Sequence, residues 1–312
     1  MTQTRSDATT TCRNCGADMP GAYCPACGQK RVTAGERGLA HLLREAFHLV
    51  TDVDGKLLRS LRLLLFSPGM LSREYLDDRR ARYSTPLGLF VIANVLYFFA
   101  PALTDFNLPF TDQVPGAIAA QLLDPADPAS PARARYLAGS LGQMHSKWTV
   151  PLVWKTLAAR AATRPGYDLR ALAADYDREA GIVGKVLMIV HVPILALALA
   201  LVYVRKRRYF AEHFVVALHL FTFLLLFVQA AVTPLAWLAG HTGVDLPPPF
   251  GALLAYALFG LLSAYLLAAC RTAYRIGWGA ATPGLVALLF GLWFANLWVY
   301  RTLQFVVTLQ LM

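Results

Sequence analysis

Cys12, Cys15, Cys24 and Cys27 form a CxxC-x8-CxxC array. Four thiolates at this spacing suit zinc, because each CxxC turn clamps one side of a tetrahedral ion. Gly16 and Gly28 directly follow the second cysteine of each pair, where a backbone free to take positive φ lets the knuckle close. With cysteine at every position no site is left open for water. The expected Zn2+ is therefore structural rather than catalytic, with iron of rubredoxin type as the competitor. A ribbon this short cannot bury a core, so metal binding of roughly 10–16 kcal/mol would supply its folding energy. Cys270 ends an apolar run and reads as a small apolar residue.

The other candidates are polar side chains inside apolar runs, which are costly in lipid and face a partner or a cavity. His191, His219, Gln229 and Arg301 are the possible intramembrane sites, with Asn94, Asn296 and Gln304 beside them. Lone amides in such runs commonly join helices. His191 and His219 read either as packing histidines or as proton or metal groups. His213 and His219 are separated by about 600° of helical turn, which puts them on different faces and argues against a shared metal. Arg301 lies about 27 Å along a helix from Pro283, close enough to the far surface to snorkel. Neither HExxH, GxSxG, a phosphate-binding loop nor paired carboxylates within an apolar run occur, so no catalysis is expected. Asp168, Asp175, Asp177, Glu179 and His145 could offer acid–base groups, but their spacing has no recognisable geometry.

These residues are carried by a chain of 312 residues, 56% apolar and only 15% charged, which is membrane composition. Five runs, at 86–103, 184–204, 214–238, 250–270 and 283–303, approach the length needed to cross a hydrocarbon core of about 30 Å. The expected fold is an all-α polytopic membrane protein of about five transmembrane helices, with a small zinc-ribbon-like knuckle within residues 1–38. Residues 39–85 predict amphipathic helices. Leu39, Leu42, Leu43, Phe47 and Val50 make one apolar face. In the next piece Lys56, Arg59 and Arg62 alternate with Leu57, Leu58, Leu61, Leu64 and Leu65, suiting a membrane surface or a face packed on the bundle. Ser67 and Pro68 predict the cap and first turn of a further helix. Residues 104–183 read as an external region, proline-rich at first and then amphipathic helix over 132–162 and 168–180.

Arg205, Lys206, Arg207 and Arg208 occupy one short connection, and Arg271 and Arg275 another. The positive-inside bias puts both loops, and with them the N-terminus, in the cytoplasm. The first 38 residues show no apolar core of a secretory signal. Cytoplasmic thiols stay reduced, which favours metal ligation over disulfides. The formal charge of +10 sits mainly beside apolar segments, so the lipid bilayer and not nucleic acid is the expected partner.

The segments CRNCG and YCPACGQ, then LLLFSPGMLSREYLDDRRARYSTPLGLFVIANVLYFF, HVPILALALALVY, RRYFAEHFVVALHL and CRTAYRIGW, resemble the bacterial membrane proteins grouped as domain of unknown function 3667. Asp78 departs from that pattern, which commonly has glycine there before a basic residue. The resemblance implies a multi-pass protein of the bacterial cytoplasmic (inner) membrane with a zinc-ribbon-like motif and no established activity. The leading expectation is a ribbon that recruits or positions a cytoplasmic protein partner. The alternatives are a small-solute or ion transporter or channel lined by His191, His219, Gln229 and Arg301, and a membrane enzyme acting on lipid or envelope intermediates.

Overall fold

The structure, a computed structural model, describes residues 10–29, 55–99, 109–123, 146–235 and 248–312. The apolar face expected over 39–50, and His145, lie outside these residues. A two-stranded antiparallel hairpin, β1 (Thr10–Thr11) and β2 (Asp18–Met19), is followed by α1 (Gly55–Phe66), α2 (Met70–Leu76) and α3 (Pro86–Phe99). Next come α4 (Phe110–Gln113), α5 (Gly116–Leu122), α6 (Ser146–Thr163), α7 (Leu169–Leu187) and α8 (His191–Val202). The chain continues with α9 (Phe210–Phe227), α10 (Pro248–Tyr274), α11 (Trp278–Phe294) and α12 (Arg301–Leu311). It divides into two units, residues 1–101 with 192–291 and residues 102–191 with 292–312.

The first unit is organised by α9. Its sequence is apolar on all sides, and such a helix must be enclosed. Ala211 and every residue from His213 to Leu225 are buried. α1, α2, α3 and α10 pack around it. Glu212 stays at the edge and accepts the Tyr209 backbone N–H at 3.1 Å, closing the helix N-terminus. α1 splits the two readings of its basic leucine pattern. Ser60 and Leu64 are buried, while Leu58 and Phe66 remain exposed beside exposed Lys56, Arg59 and Arg62.

The start of α2 corrects the expectation of a Ser67 cap. The helix begins at Met70, and the N-cap is Gly69 at φ 75° with no side-chain cap. Ser67 instead finishes the hydrogen bonding of α1 through its N–H to the Leu63 carbonyl at 3.0 Å. Close packing decides the outcome, because a Cβ at residue 69 would overlap the Ala269 backbone of α10. Only glycine meets the left-handed φ and the close approach together.

In the second unit α7 packs on α12. Asp168 caps α7 by accepting the Ala171 N–H at 2.9 Å. From α12, Gln304 Nε2 donates to the Ala180 carbonyl at 3.0 Å, and the Tyr300 hydroxyl just before it donates to Gly184 at 3.0 Å. Phe110, Tyr176 and Phe305 form the aromatic centre of this core, with ring centroids 5.3–5.9 Å apart.

Four helical stretches are long and apolar enough to cross a membrane: Leu169–Val202, Phe210–Leu235, Gly251–Tyr274 and Trp278–Leu311. Pro86–Tyr97 is a shorter apolar helix. The chain is thus an all-α, polytopic membrane-type protein with a cysteine knuckle, as expected. Two details differ from the sequence reading. The run expected over 184–204 belongs to a helical stretch that already starts at Leu169. The run expected to end at 303 continues as helix, since α12 extends to Leu311.

The positive φ at Gly69 should cost alanine about 1–2 kcal/mol by itself, and the Ala269 backbone should add to that. Gly166 has a similar φ of 80° but open space where a Cβ would go. In thermal unfolding in detergent, Gly69→Ala should therefore lose clearly more stability than Gly166→Ala. Equal losses would contradict the close approach of α2 to α10.

Candidate metal centre and its seat

The two CxxC turns have the same hydrogen-bond design. Gly16 N–H donates to Cys12 O and Cys12 N–H to Ala17 O, both at 2.8 Å; Gly28 N–H donates to Cys24 O and Cys24 N–H to Gln29 O, both at 2.9 Å. The glycines take φ 79° and 71°, completing each knuckle as the sequence predicts. All four sulfur atoms lie within 4.8 Å of one another. Cys12 and Cys27 are 3.7 Å apart, and Cys15 and Cys24 3.6 Å. A tetrahedron with metal–sulfur bonds of about 2.3 Å has edges of about 3.8 Å, so the donor set fits one thiolate-bound ion. Cys12, Cys24 and Met19 are the buried apolar residues of the ribbon. When bound, the ion supplies the cross-link that this small cluster cannot replace.

Local hydrogen bonds bias the thiols unevenly. The Asn14 side chain, followed by the Gln29 backbone, pulls Cys27 down to about 6. At Cys15 the Ala17 backbone acts to lower the value, but hydrogen bonding with Cys27 and the other thiols pushes it up to about 12. Cys27 thus gives up its proton more readily than Cys15, and metal binding favours the thiolate at all four positions.

The ribbon is seated on the turn after α2. Gln29, whose carbonyl closes the second knuckle, donates Nε2–H to the Asp78 carbonyl at 3.0 Å and accepts the Ala81 N–H on Oε1 at 2.9 Å. Arg13, from the first knuckle, reaches Asp78 Oδ2 at 2.8 Å, and Arg80 reaches Oδ1 at 3.0 Å. Gln29 and Asp78 are 6% and 8% exposed, whereas the Arg13 side chain is 67% exposed. The buried bond to Asp78 and the half-buried one from Ala81 are worth about 1 kcal/mol each, and an exposed ion pair at most about as much as one of them. The glutamine amide therefore does more of the holding than the arginine.

Asp78 has φ 61°, so the tight turn forms although the residue is not glycine. Aspartate tolerates this region better than most residues, and its carboxylate here is engaged by two arginines. Neighbouring contacts hold the turn in place. Asp77 pairs with Arg79 at 3.1 Å and with Arg275 from the connection after α10. Arg79 also reaches Glu74 at 2.7 Å. The Ser84 N–H donates to Ser60 Oγ at 2.9 Å, and Arg59 donates to the Arg82 carbonyl at 3.1 Å.

The buried histidines have local partners. His219 Nδ1 lies 3.1 Å from Ser72 Oγ, and its ring meets Tyr75 edge-on at 5.3 Å. His213 Nδ1 lies 2.8 Å from the Tyr274 hydroxyl, so the two histidines serve different neighbours. In the second unit His191 Nδ1 is 3.0 Å from the Met188 carbonyl, with its ring on Tyr300. Gln229 is half-buried in a π-helical turn, Val228–Val232, in the first unit; Arg301 is half-buried in the second. Gln304 joins two helices, as read for such amides. Asp175 is held by Arg178 at 2.8 Å and the Tyr167 hydroxyl at 3.0 Å, and Asp177 accepts the Phe110 N–H at 2.7 Å.

Sequence reasoning missed Gln29 and Asp77. The available signal was the glutamine directly after CxxCG and the doubled acid-and-arginine run DDRR, which reads as an ordinary polar turn until its partners are seen.

Residues 54–98 match the model of a family described as protein of unknown function (DUF3667). The match covers α1, α2, the turn that seats the ribbon, and α3. It agrees with the resemblance read from the third of the quoted segments. Comparison with curated proteins and with solved structures gives no match.

The seat gives a direct expectation for residue 78. Asp78→Gly should relieve the left-handed backbone while losing both arginine contacts, leaving thermal stability within about 1 kcal/mol of the parent. Asp78→Val loses the contacts and adds strain, and should unfold at clearly lower temperature. A valine variant as stable as the glycine one would contradict the observed turn.

Proposed function

We propose that this is a noncatalytic protein of the bacterial inner membrane, with its N-terminus in the cytoplasm, whose zinc ribbon recruits a cytoplasmic protein partner. The supporting observation is the seat. Gln29 and Arg13 tie one side of the ribbon to the Asp78 turn, while Tyr23, between the two knuckles, is 62% exposed. A ribbon built only to cross-link the chain has no need to hold an aromatic ring in water. Aromatic anchors of this kind dominate protein interfaces. The closed ligand set favours a structural ion, and thiolates around one tetrahedral site favour zinc. Orientation follows from the basic connections at 205–208 and 271–275. Since His191, His213 and His219 each have a packing partner, a transport route through them has less support than an adaptor.

Quantitative cross-linking in native membranes tests this. One zinc per chain and a partner enriched with the parent protein are expected. Tyr23→Ala should retain zinc and insertion but reduce partner recovery about tenfold, the usual scale of a lost aromatic anchor. Cys12→Ser with Cys24→Ser should lose zinc and partner together. Unchanged recovery with both variants would overturn the adaptor reading, and stoichiometric iron in place of zinc would overturn the metal assignment.

A further inference from the structure

Within the first unit, an apolar groove of about 640 Å³ is lined by Val202 of α8 and by Gly279, Thr282, Pro283, Val286, Ala287 and Phe290 of α11. Its sides lie open: Val286 and Phe290 are 61% and 62% exposed. From Gly279 to Phe290 it runs about 16 Å along the helix, half of a hydrocarbon core of about 30 Å and so the depth of one leaflet.

One end of the groove is fixed beside charge. Val202 leads directly into Val204–Lys206, and the Tyr203 hydroxyl reaches the Ala280 carbonyl at 3.5 Å, so the 203–207 turn lies at the Gly279 end. Arg205, Lys206 and Arg207 are exposed there and make no ion pair among the described residues. Within this connection they differ from Arg208, which pairs with Glu212 at 3.7 Å. Arg271 lies over the ring of Trp278 at 4.6 Å, adding a cation and an interfacial indole at the first residue of α11.

We infer that this groove is a binding site for an anionic phospholipid, with an acyl chain along Val202, Pro283, Val286 and Phe290 and the phosphate at Arg205, Lys206 and Arg207. The one-leaflet depth suits a lipid tail better than a helix of a second chain, which would need cover across both leaflets. Unpaired cations confined to one end provide charge complementarity that a neutral lipid would not use. A basic loop acting only as a topology signal would need neither the groove nor this alignment.

The test is native mass spectrometry of the full chain released from nanodiscs containing equal phosphatidylglycerol and phosphatidylcholine. The parent should retain phosphatidylglycerol about tenfold over phosphatidylcholine. Arg205→Gln, Lys206→Gln and Arg207→Gln together should remove that preference. Because this change could also alter insertion, Ala287→Trp, which fills the groove and leaves every charge in place, should independently lower phosphatidylglycerol retention about tenfold. Equal retention of the two lipids by the parent overturns the proposal, as does a preference that survives Ala287→Trp. A parent dimer that Ala287→Trp dissociates with lipid retention unchanged would assign the groove to a second copy instead.

Discussion

The side-chain amide of Gln29 joins the ribbon to the rest of its unit. One edge of that amide donates to Asp78 and the other accepts from Ala81, so both polar atoms are used in a place water hardly reaches. The same residue's backbone carbonyl closes the second knuckle. Gln29 therefore has the right position for the turn only when the knuckle around Cys24 and Cys27 has formed. The ribbon's apolar core is only Cys12, Met19 and Cys24, too small to hold that shape, so metal binding, knuckle closure and docking become one coupled event. Removing the cross-link would leave a buried carbonyl and a half-buried N–H without their partner, and for the buried carbonyl that costs more than making the bond gains.

The turn can act as a seat because it is fixed from the other side. Asp77 is bound to Arg275 and Arg79, Ser84 to Ser60, and Arg82 to Arg59, which ties the turn to α1 and to the end of α10. Those helices enclose α9, whose apolar surface on every side is the main drive for assembly of the unit. The buried histidines of α9 belong to this packing, each matched to a hydroxyl on a neighbouring helix. His213 and His219 thus make packing contacts, while an ordinary glutamine and an aspartate in a turn seat the cysteine knuckle.

Much of this was legible in the chain. Cysteine spacing defines the knuckles because metal geometry permits few alternatives, and long apolar runs mark helices because lipid leaves the backbone no other way to satisfy itself. The seat was not legible, since it depends on contacts between residues 49 and 52 positions apart that no local pattern encodes. Ser67 and Pro68 gave a valid local cap signal, but the close approach of Gly69 to α10 moved the helix start to Met70. The helix before residue 184 was read as separate because Asp175, Asp177, Arg178 and Glu179 interrupt its apolar pattern, although they do not interrupt its backbone. The last run looks complete at 303 for a similar reason: threonine and glutamines dilute α12 without ending it.

Hydrogen exchange of the intact protein, compared before and after metal is removed by a chelator, tests the coupling most directly. The Ala81 amide, bound to Gln29, should lose protection together with residues 10–29, and the change should extend through the 77–84 turn. If the ribbon opens while the 77–84 amides exchange as before, the ribbon is not docked through Gln29 and the coupling of metal to the membrane body is wrong.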